Sequence, residues 1–420
     1  MRLLKKQKAH CCVTNSGSDS SKDIYRKSKF SINLSHMNLL KISIGALLFS
    51  LPVLSMTTGC SPQDKGNGDV TIVDMLAELD RPDFSETNIT DVRYALLDTA
   101  SAALLSENSQ IMGVIGDTVI IHDNTNLGSG SRLLLFDADN GHLIREISHI
   151  GQGPGEYSWI MNVVTDRKRG ELILLTGGAK AHRYTTGDRY IESYDMGSTH
   201  GGKIPVGSAE LGINETDAYD GNLYIYQYDD RVSPVDTLVI NDYEPKWISI
   251  AFNLSDKESL INIVDTVYSL VPGGMIPVAV LSRGSKALTP EVERKVYIGR
   301  SDYEQAQKER DGYIEFLHFT NDGPRFSVAY SYSGRIVFDT YSHSSGKLIS
   351  RRSFSYDDED SGFPVPYENQ TIHIKRAYPF PFLNDGRFYA IVHEDETAGS
   401  DGELSEDFNG AIISWRVEGE

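Results

Sequence analysis

Three side-chain patterns in this 420-residue sequence could carry chemistry: carboxylate-rich turns able to hold a cation, histidines able to ligate metal or move a proton, and cysteines. The run Asp137-Ala138-Asp139-Asn140-Gly141 opens like a calcium loop, which needs alternating oxygen ligands, a Gly at the sixth position and a bidentate Glu at the twelfth. Here the Gly comes one position early and Ser148 stands where the Glu should, so the segment reads as a hairpin turn. The cluster Asp357-Asp358-Glu359-Asp360 reads as a solvated loop. Histidines 122, 142, 149, 182, 200, 318, 343, 373 and 393 show neither HExxH nor the paired spacing of zinc ligands, and no GxSxG elbow occurs. Cysteines stand only at 11, 12 and 60, too few beyond residue 60 for a disulfide framework or a Cys-based zinc site. No catalytic, cofactor-binding or metal residue is assigned from linear motifs. A site assembled from one residue per structural repeat would leave no such motif.

Cys60 is the exception, because its surroundings specify a modification. From Met37 the sequence places a basic residue, Lys41, before an apolar stretch from Ile42 to Met56 and the small residues Thr57-Thr58-Gly59. That is the layout of a secretory signal, and the apolar stretch falls short of the roughly 20 residues that a spanning helix needs. The end of the signal resembles the lipobox of bacterial lipoproteins, although Thr57 stands where Leu is usual. The resemblance implies acylation of the Cys60 thiol and a mature chain that starts there. Residues 1–36 are then an extension ahead of a start at Met37, residues 37–59 the signal peptide, residues 60–84 the lipidated Cys and a tether, and residues 85–420 the folded domain.

Charge narrows the partners. The chain carries a formal charge of −19, but residues 1–59 hold nine Lys or Arg against two Asp, leaving −26 beyond them. A surface of that sign repels phosphate backbones, so nucleic acid is excluded as a partner.

The elements that would position any site are strands. From about residue 90, short β-rich runs such as TVIIHD, ELILLTG, NLYIYQYD, RIVFDTY and GAIISWRV alternate with Asn-Gly, Asp-Gly and Ser-Gly turns. Phe136 to Ile144 aligns with Tyr341 to Ile349, each turning on a glycine, Gly141 and Gly346. Comparable units occur at Tyr184 to Ile191, around Asp229-Asp230 and at Tyr268 to Gly274, in steps of 46, 43 and 44 residues. The longer step from Gly274 to Gly346 contains a charge-rich run, ALTPEVERKVYIGRSDYEQAQKERDG, read as an inserted loop or helix. A sixth unit holds RFYAIVHED and GAIISWRV, with an acidic loop from Asp395 to Asp407 between them. Six such units predict an all-β, six-bladed β-propeller of four-stranded antiparallel blades. Val92 to Leu97 is expected to complete the last blade beside GAIISWRV, since an open ring would leave unpaired edges.

The string Gly151-Gln152-Gly153-Pro154-Gly155-Glu156-Tyr157 resembles a feature of six-bladed β-propeller lipoproteins common in Bacteroidetes, and more distantly NHL-type and TolB-like propellers. VRYALLDTASAALL, VDTVYSLVPGGMIPVAVLSRGSKALTPE and NDGRFYAIVHEDE resemble other stretches of that family, so the likeness covers about residues 85–417. The glycines are read as allowing positive φ in a tight inter-blade link, with Glu156 and Tyr157 bonding or packing over it. A phosphate-binding loop would need a following helix and a Lys, and a strand follows here.

The expectation is therefore a cell-envelope protein, lipid-anchored to the outer membrane and facing the periplasm or surface. It would bind or scaffold a peptide, glycan or envelope protein at one mouth of the channel, without metal or cofactor. The alternatives are a hydrolase or lyase centred in the channel and a structural member of an envelope complex.

Overall fold

The computed structural model describes residues 31–33 and 70–418, apart from 85–87, 101, 107, 125–129, 197–205, 209–211, 220, 242–251, 255–258, 289–302, 356–361, 369, 375–380 and 394–408. Cys60 and the signal region, residues 37–59, lie outside the described residues, as do Asp357–Asp360 and the Asp395–Asp407 loop, and of the extension only residues 31–33 are described.

Strands β1 (Ser31–Asn33), β2 (Thr71–Asp74) and β3 (Ile89–Leu96) precede the blades. Blade one is β4 (Gln110–Ile115), β5 (Thr118–Asn124), β6 (Ser131–Asp137) and β7 (Leu143–Ile147). Blade two is β8 (Ile160–Asp166), β9 (Glu171–Thr176), β10 (Lys180–Thr185) and β11 (Tyr190–Asp195). Blade three is β12 (Val206–Ser208), β13 (Gly212–Tyr219), β14 (Asn222–Tyr228) and β15 (Pro234–Asn241), with β1 parallel to β15. Blade four is β16 (Phe252–Leu254), β17 (Ser259–Ile263), β18 (Thr266–Val271) and β19 (Gly274–Ser282). Blade five is β20 (Glu315–Asn321), β21 (Arg325–Tyr332), β22 (Arg335–Ser342) and β23 (Leu348–Ser355). A hairpin, β24 (Phe363–Tyr367) with β25 (Gln370–Ile374), comes next. Blade six is β26 (Phe382–Asn384), β27 (Arg387–Val392), β28 (Ala411–Val417) and, returning from the N-terminal side, β3.

The chain is a six-bladed propeller, and its core shows why it closes. Middle strands such as β5 and β9 are buried on both faces, so a single blade cannot satisfy its own apolar surface. Six apolar clusters result, one between each pair of neighbouring blades. The cluster between blades six and one joins Tyr389, Ile391 and Ile412 to Val114, Val119 and Phe136.

Ring closure follows the expected pairing, from Ala411↔Leu96 to Val417↔Ile89. A charged clasp reinforces it. The buried Arg387 guanidinium donates to both the carbonyl and the carboxylate of Asp91 on β3, and Arg416 approaches the same carboxylate at 3.7 Å.

Two features correct the sequence reading. The tether does not run to residue 84, because Thr71–Asp74 extends blade four as a strand parallel to β19 and Met75–Glu78 forms a helical turn whose Met75 is buried. Arg351 then donates to the carbonyls of Glu78 and Arg81, Arg352 to that of Phe84, and Ser353 is held by Asp83. This N-terminal strap thus crosses the outer strands of blades four and five before entering blade six. The second feature is the β24–β25 hairpin, which packs Phe363, Val365, Ile372 and Ile374 against Trp415 and Phe388. The charge-rich insertion does contain a helix, Tyr303–Arg310. Among the described residues, no helix is long and apolar enough to cross a membrane.

Candidate functional site

Within a blade the four strands are antiparallel, and the first strands of the blades neighbour one another around the ring. This order sorts the connections between two mouths. Turns joining first to second and third to fourth strands gather at one mouth, the turn face. Turns joining second to third strands, and the links between blades, gather at the other, the link face.

On the turn face the connections are short and charged, as at residues 116–117, 167–170, 322–324 and 385–386. Arg167 Nη1 donates to Asn384 Oδ1 at 3.0 Å, tying the first turn of blade two to that of blade six past blade one. The link face carries the described parts of the segments between β3 and β4, β7 and β8, β19 and β20, β23 and β26, and β27 and β28. Its described connections also bear exposed apolar side chains. Leu104 is 47 % exposed, Trp159 43 % and Val264 54 %, and Ile150 is exposed as well. Among the described residues, no turn-face connection carries an exposed large hydrophobic side chain.

Polar side chains brace the link face. Arg132 donates to Asp123 Oδ2 at 2.8 Å and to the carbonyls of Ala102 and Leu104 at 3.0 and 2.6 Å. Burial alone would raise the Asp123 pKa, but hydrogen bonds from Ser106, Arg132 and Ser109 hold the carboxyl below its ordinary range. Asn409 donates to the carbonyls of Asp98 and Ala103 and accepts from the Leu105 amide. Arg283 fixes the other side, bonding Asp265 Oδ1 at 2.6 Å and the carbonyls of Val264 and Ile314. Val264 is held at φ 56°, an outlying conformation for a β-branched residue.

The Gly151–Tyr157 string does link blades one and two, but its glycines serve two different purposes. Only Gly155 has a positive φ, 79°, and a Cβ there would lie 2.7 Å from the Tyr190 ring. Gly151 and Gly153 lie outside the left-handed region, and their smallness is needed because Glu156 folds over them. Glu156 accepts from the Gly153 amide at 2.7 Å. Tyr157 is buried between the blades, donates to Ile147 O, and its phenol is pushed up to about 12 by burial. Tyr184 of blade two bonds Gly155 O, while His149 stacks on Tyr184 and reaches Asp188 at 2.6 Å.

The described histidines do not converge. His122 meets Ser131, His142 meets Asp98, His182 meets Ser193, and His343 meets Thr71 and Asn321, each with partners of its own. On β20, burial pushes His318 down to about 3, which leaves it a weak base. Among the described residues, no three His, Cys, Asp or Glu side chains are gathered as metal ligands would be. The aspartates of the calcium-like run make a turn: Asp137 Oδ1 accepts from the amides of Asp139 and Asn140. The sequence reading missed Trp159, because a single Trp before a strand has no pattern that separates platform from core.

Residues 70–412 match the family model described as a domain of unknown function, DUF4934. The chain belongs to the DUF4934 family. None of the curated proteins compared with this DUF4934 protein matches it. Among solved structures, it is similar to a Bacteroides fragilis protein described as exported, at 14 % identity and a TM-score of 0.60, covering 83 % of this chain and all of that one. It is also similar to a member of the DUF4221 family from Bacteroides vulgatus, at 10 % identity and a TM-score of 0.48, covering 79 % of this chain and 98 % of that one. At 14 % identity the Bacteroides fragilis likeness speaks for the fold alone.

Proposed function

We propose that this DUF4934 chain is an extracytoplasmic lipoprotein, anchored through Cys60, that binds or scaffolds a peptide, glycan or envelope protein at the link face of its propeller. The observation that carries this reading is the asymmetry between the mouths: one is short-turned, charged and bridged by Arg167, while the other gathers the long links and exposed apolar side chains on a braced floor. Loops on a rigid scaffold are where binding residues concentrate, and exposed apolar groups beside a concave centre suit a ligand. The signal layout before Cys60 and the exported description of a structural neighbour support an envelope location.

The test places a photo-crosslinking amino acid at Leu104 or Val264 on the link face, and at Asp117 or Lys168 on the turn face, of the full chain in its own cells. The expected result is adducts from the link-face positions only. Adducts confined to the turn face, or an equal yield from both faces, would overturn the reading.

A further inference from the structure

Trp159 has a feature that a surface Trp held only by chance would lack: a floor. It directly precedes β8, the innermost strand of blade two, and its indole lies against the second turn of that blade. A Cβ at Gly177 would sit 3.0 Å from both Cε2 and Cζ2 of the indole, and the Gly177 amide donates to Trp159 O at 3.2 Å. The turn continues through Gly178 at φ 80° and Ala179 at φ 56°, a left-handed pair that keeps it tight. The indole is thus packed against the glycine turn while the residue remains 43 % exposed. A ring fixed in advance loses little freedom when a ligand stacks on it.

The surroundings select the kind of ligand. An aromatic face attracts cations or the C–H faces of neutral rings. Lys180, exposed and next in the chain to this turn, disfavours a cation. The −26 formal charge beyond residue 59 disfavours an anion at long range. An extended peptide adding a strand would need a free sheet edge, and β8, the strand that Trp159 precedes, already has β9 on one side and β12 on the other. What remains is a neutral ring with an apolar face and hydroxyls at its edge, for which Ser158 Oγ stands beside the indole, 3.0 Å from the same Gly177 Cβ position.

We propose that Trp159 on its Gly177 floor is a stacking subsite for a neutral pyranose of a glycan. This rests on the link-face reading above and names the ligand class for it.

The experiment titrates the full-length lipidated protein in detergent with neutral hexasaccharides of α1,4-glucose, β1,4-glucose, β1,4-mannose, β1,4-xylose and β1,4-N-acetylglucosamine. Calorimetry and acrylamide quenching of Trp fluorescence are the readouts. At least one saccharide is expected to bind saturably and to shield Trp159 from acrylamide. Trp159→Ala should weaken that binding about tenfold, the scale of one lost stacking contact, while Trp159→Tyr retains most of it. Melting temperatures of both variants, measured alongside, separate loss of the platform from loss of the fold. The subsite is refuted if no saccharide binds at millimolar concentration, or if Trp159→Ala binds as well as the parent. Link-face crosslinks without saccharide binding would reject the glycan subsite and leave the link-face reading standing.

Discussion

The carbonyl oxygen of Leu96 lies 1.9 Å from where a Cβ of Gly141 would be, so the end of the ring-closing strand β3 presses directly on the outer turn of blade one. The same relationship recurs four blades on, where the carbonyl oxygen of Ile72 on β2 lies 2.8 Å from the Cβ position of Gly346. Both turns are also alike internally: Gly141 N donates to Asp137 O at 2.9 Å and Gly346 N to Ser342 O at 2.8 Å. Both third strands carry a bulge just before the buried aromatic, Phe136 or Tyr341. The repeat seen in the sequence therefore records two contacts with N-terminal strands as well as two hairpins.

These contacts make the first prediction. Gly141→Ala combines a backbone clash with a left-handed φ of 73° and should destabilise the protein on the order of 3 kcal/mol. Gly116→Ala, at φ 58° with open space around it, should cost about 1 kcal/mol. Urea unfolding of the two variants measures the difference. Equal losses would mean that the closing strand does not bear on the turn.

The second prediction separates the glycines of the inter-blade link. Gly155→Ala meets both a φ of 79° and the Tyr190 ring, and should cost on the order of 2 kcal/mol. Gly151→Ala meets only the Glu156 side chain, whose oxygen lies 2.0 Å from the Cβ position. Removing that side chain in a Gly151→Ala, Glu156→Ala double variant should recover most of the single variant's loss, read from melting temperatures. No recovery would assign Gly151 to a backbone constraint.

Much of this fold could be read in advance because turn glycines and alternating strands are local signals. Gly141, Gly346 and the β3–β28 closure are of that kind. What escaped had a physical cause. The TIVD strand is four residues long with a buried-exposed alternation that needs β19 beside it to matter. The FPVPY strand carries Pro364 and Pro366, which argue against a strand unless its outer edge goes unpaired, as that of β24 does. The link face itself was legible only as long connections. Which residues stay exposed on it, Trp159 above all, depends on packing between distant segments.

The N-terminal strap supplies the third prediction. Arg351 is paired bidentately with the fully buried Asp339, at 2.7 and 2.6 Å, and the phenols of Tyr330 and Tyr341 donate to the same carboxylate. Arg351→Ala would leave Asp339 buried without its cation and release the strap carbonyls, costing about 3–5 kcal/mol. Arg351→Met with Asp339→Leu removes the charge conflict but still loses the strap, so it should be the milder change. Unfolding energies decide the order, and limited proteolysis near residues 78–84 should accelerate in both.

Lipid attachment gives the fourth. Intact-mass measurement of membrane-extracted protein is expected to find the chain beginning at an acylated Cys60, and Cys60→Ala should move the protein to the soluble fraction. A terminus at Met1 or Met37, or a free Cys60 thiol, would refute the anchor.

The last prediction concerns acid. His318 lies on β20 with its Nε2 sealed from solvent, and burial lowers its pKa from 6.5 to about 3. Between those values the unfolded chain takes up a proton that the folded chain refuses. Stability from this group is therefore fully present above pH 6.5 and is lost as pH falls, reaching its limit near pH 3. The slope should be about 1 kcal/mol per pH unit, allowing for the part of the residue that solvent still reaches. His318→Gln cannot titrate, so its stability curve should be flatter than the parent's between pH 6.5 and 4.5 by that slope, whatever its absolute stability. Urea unfolding across that range measures it, and parallel curves would show that the imidazole protonates within the folded protein.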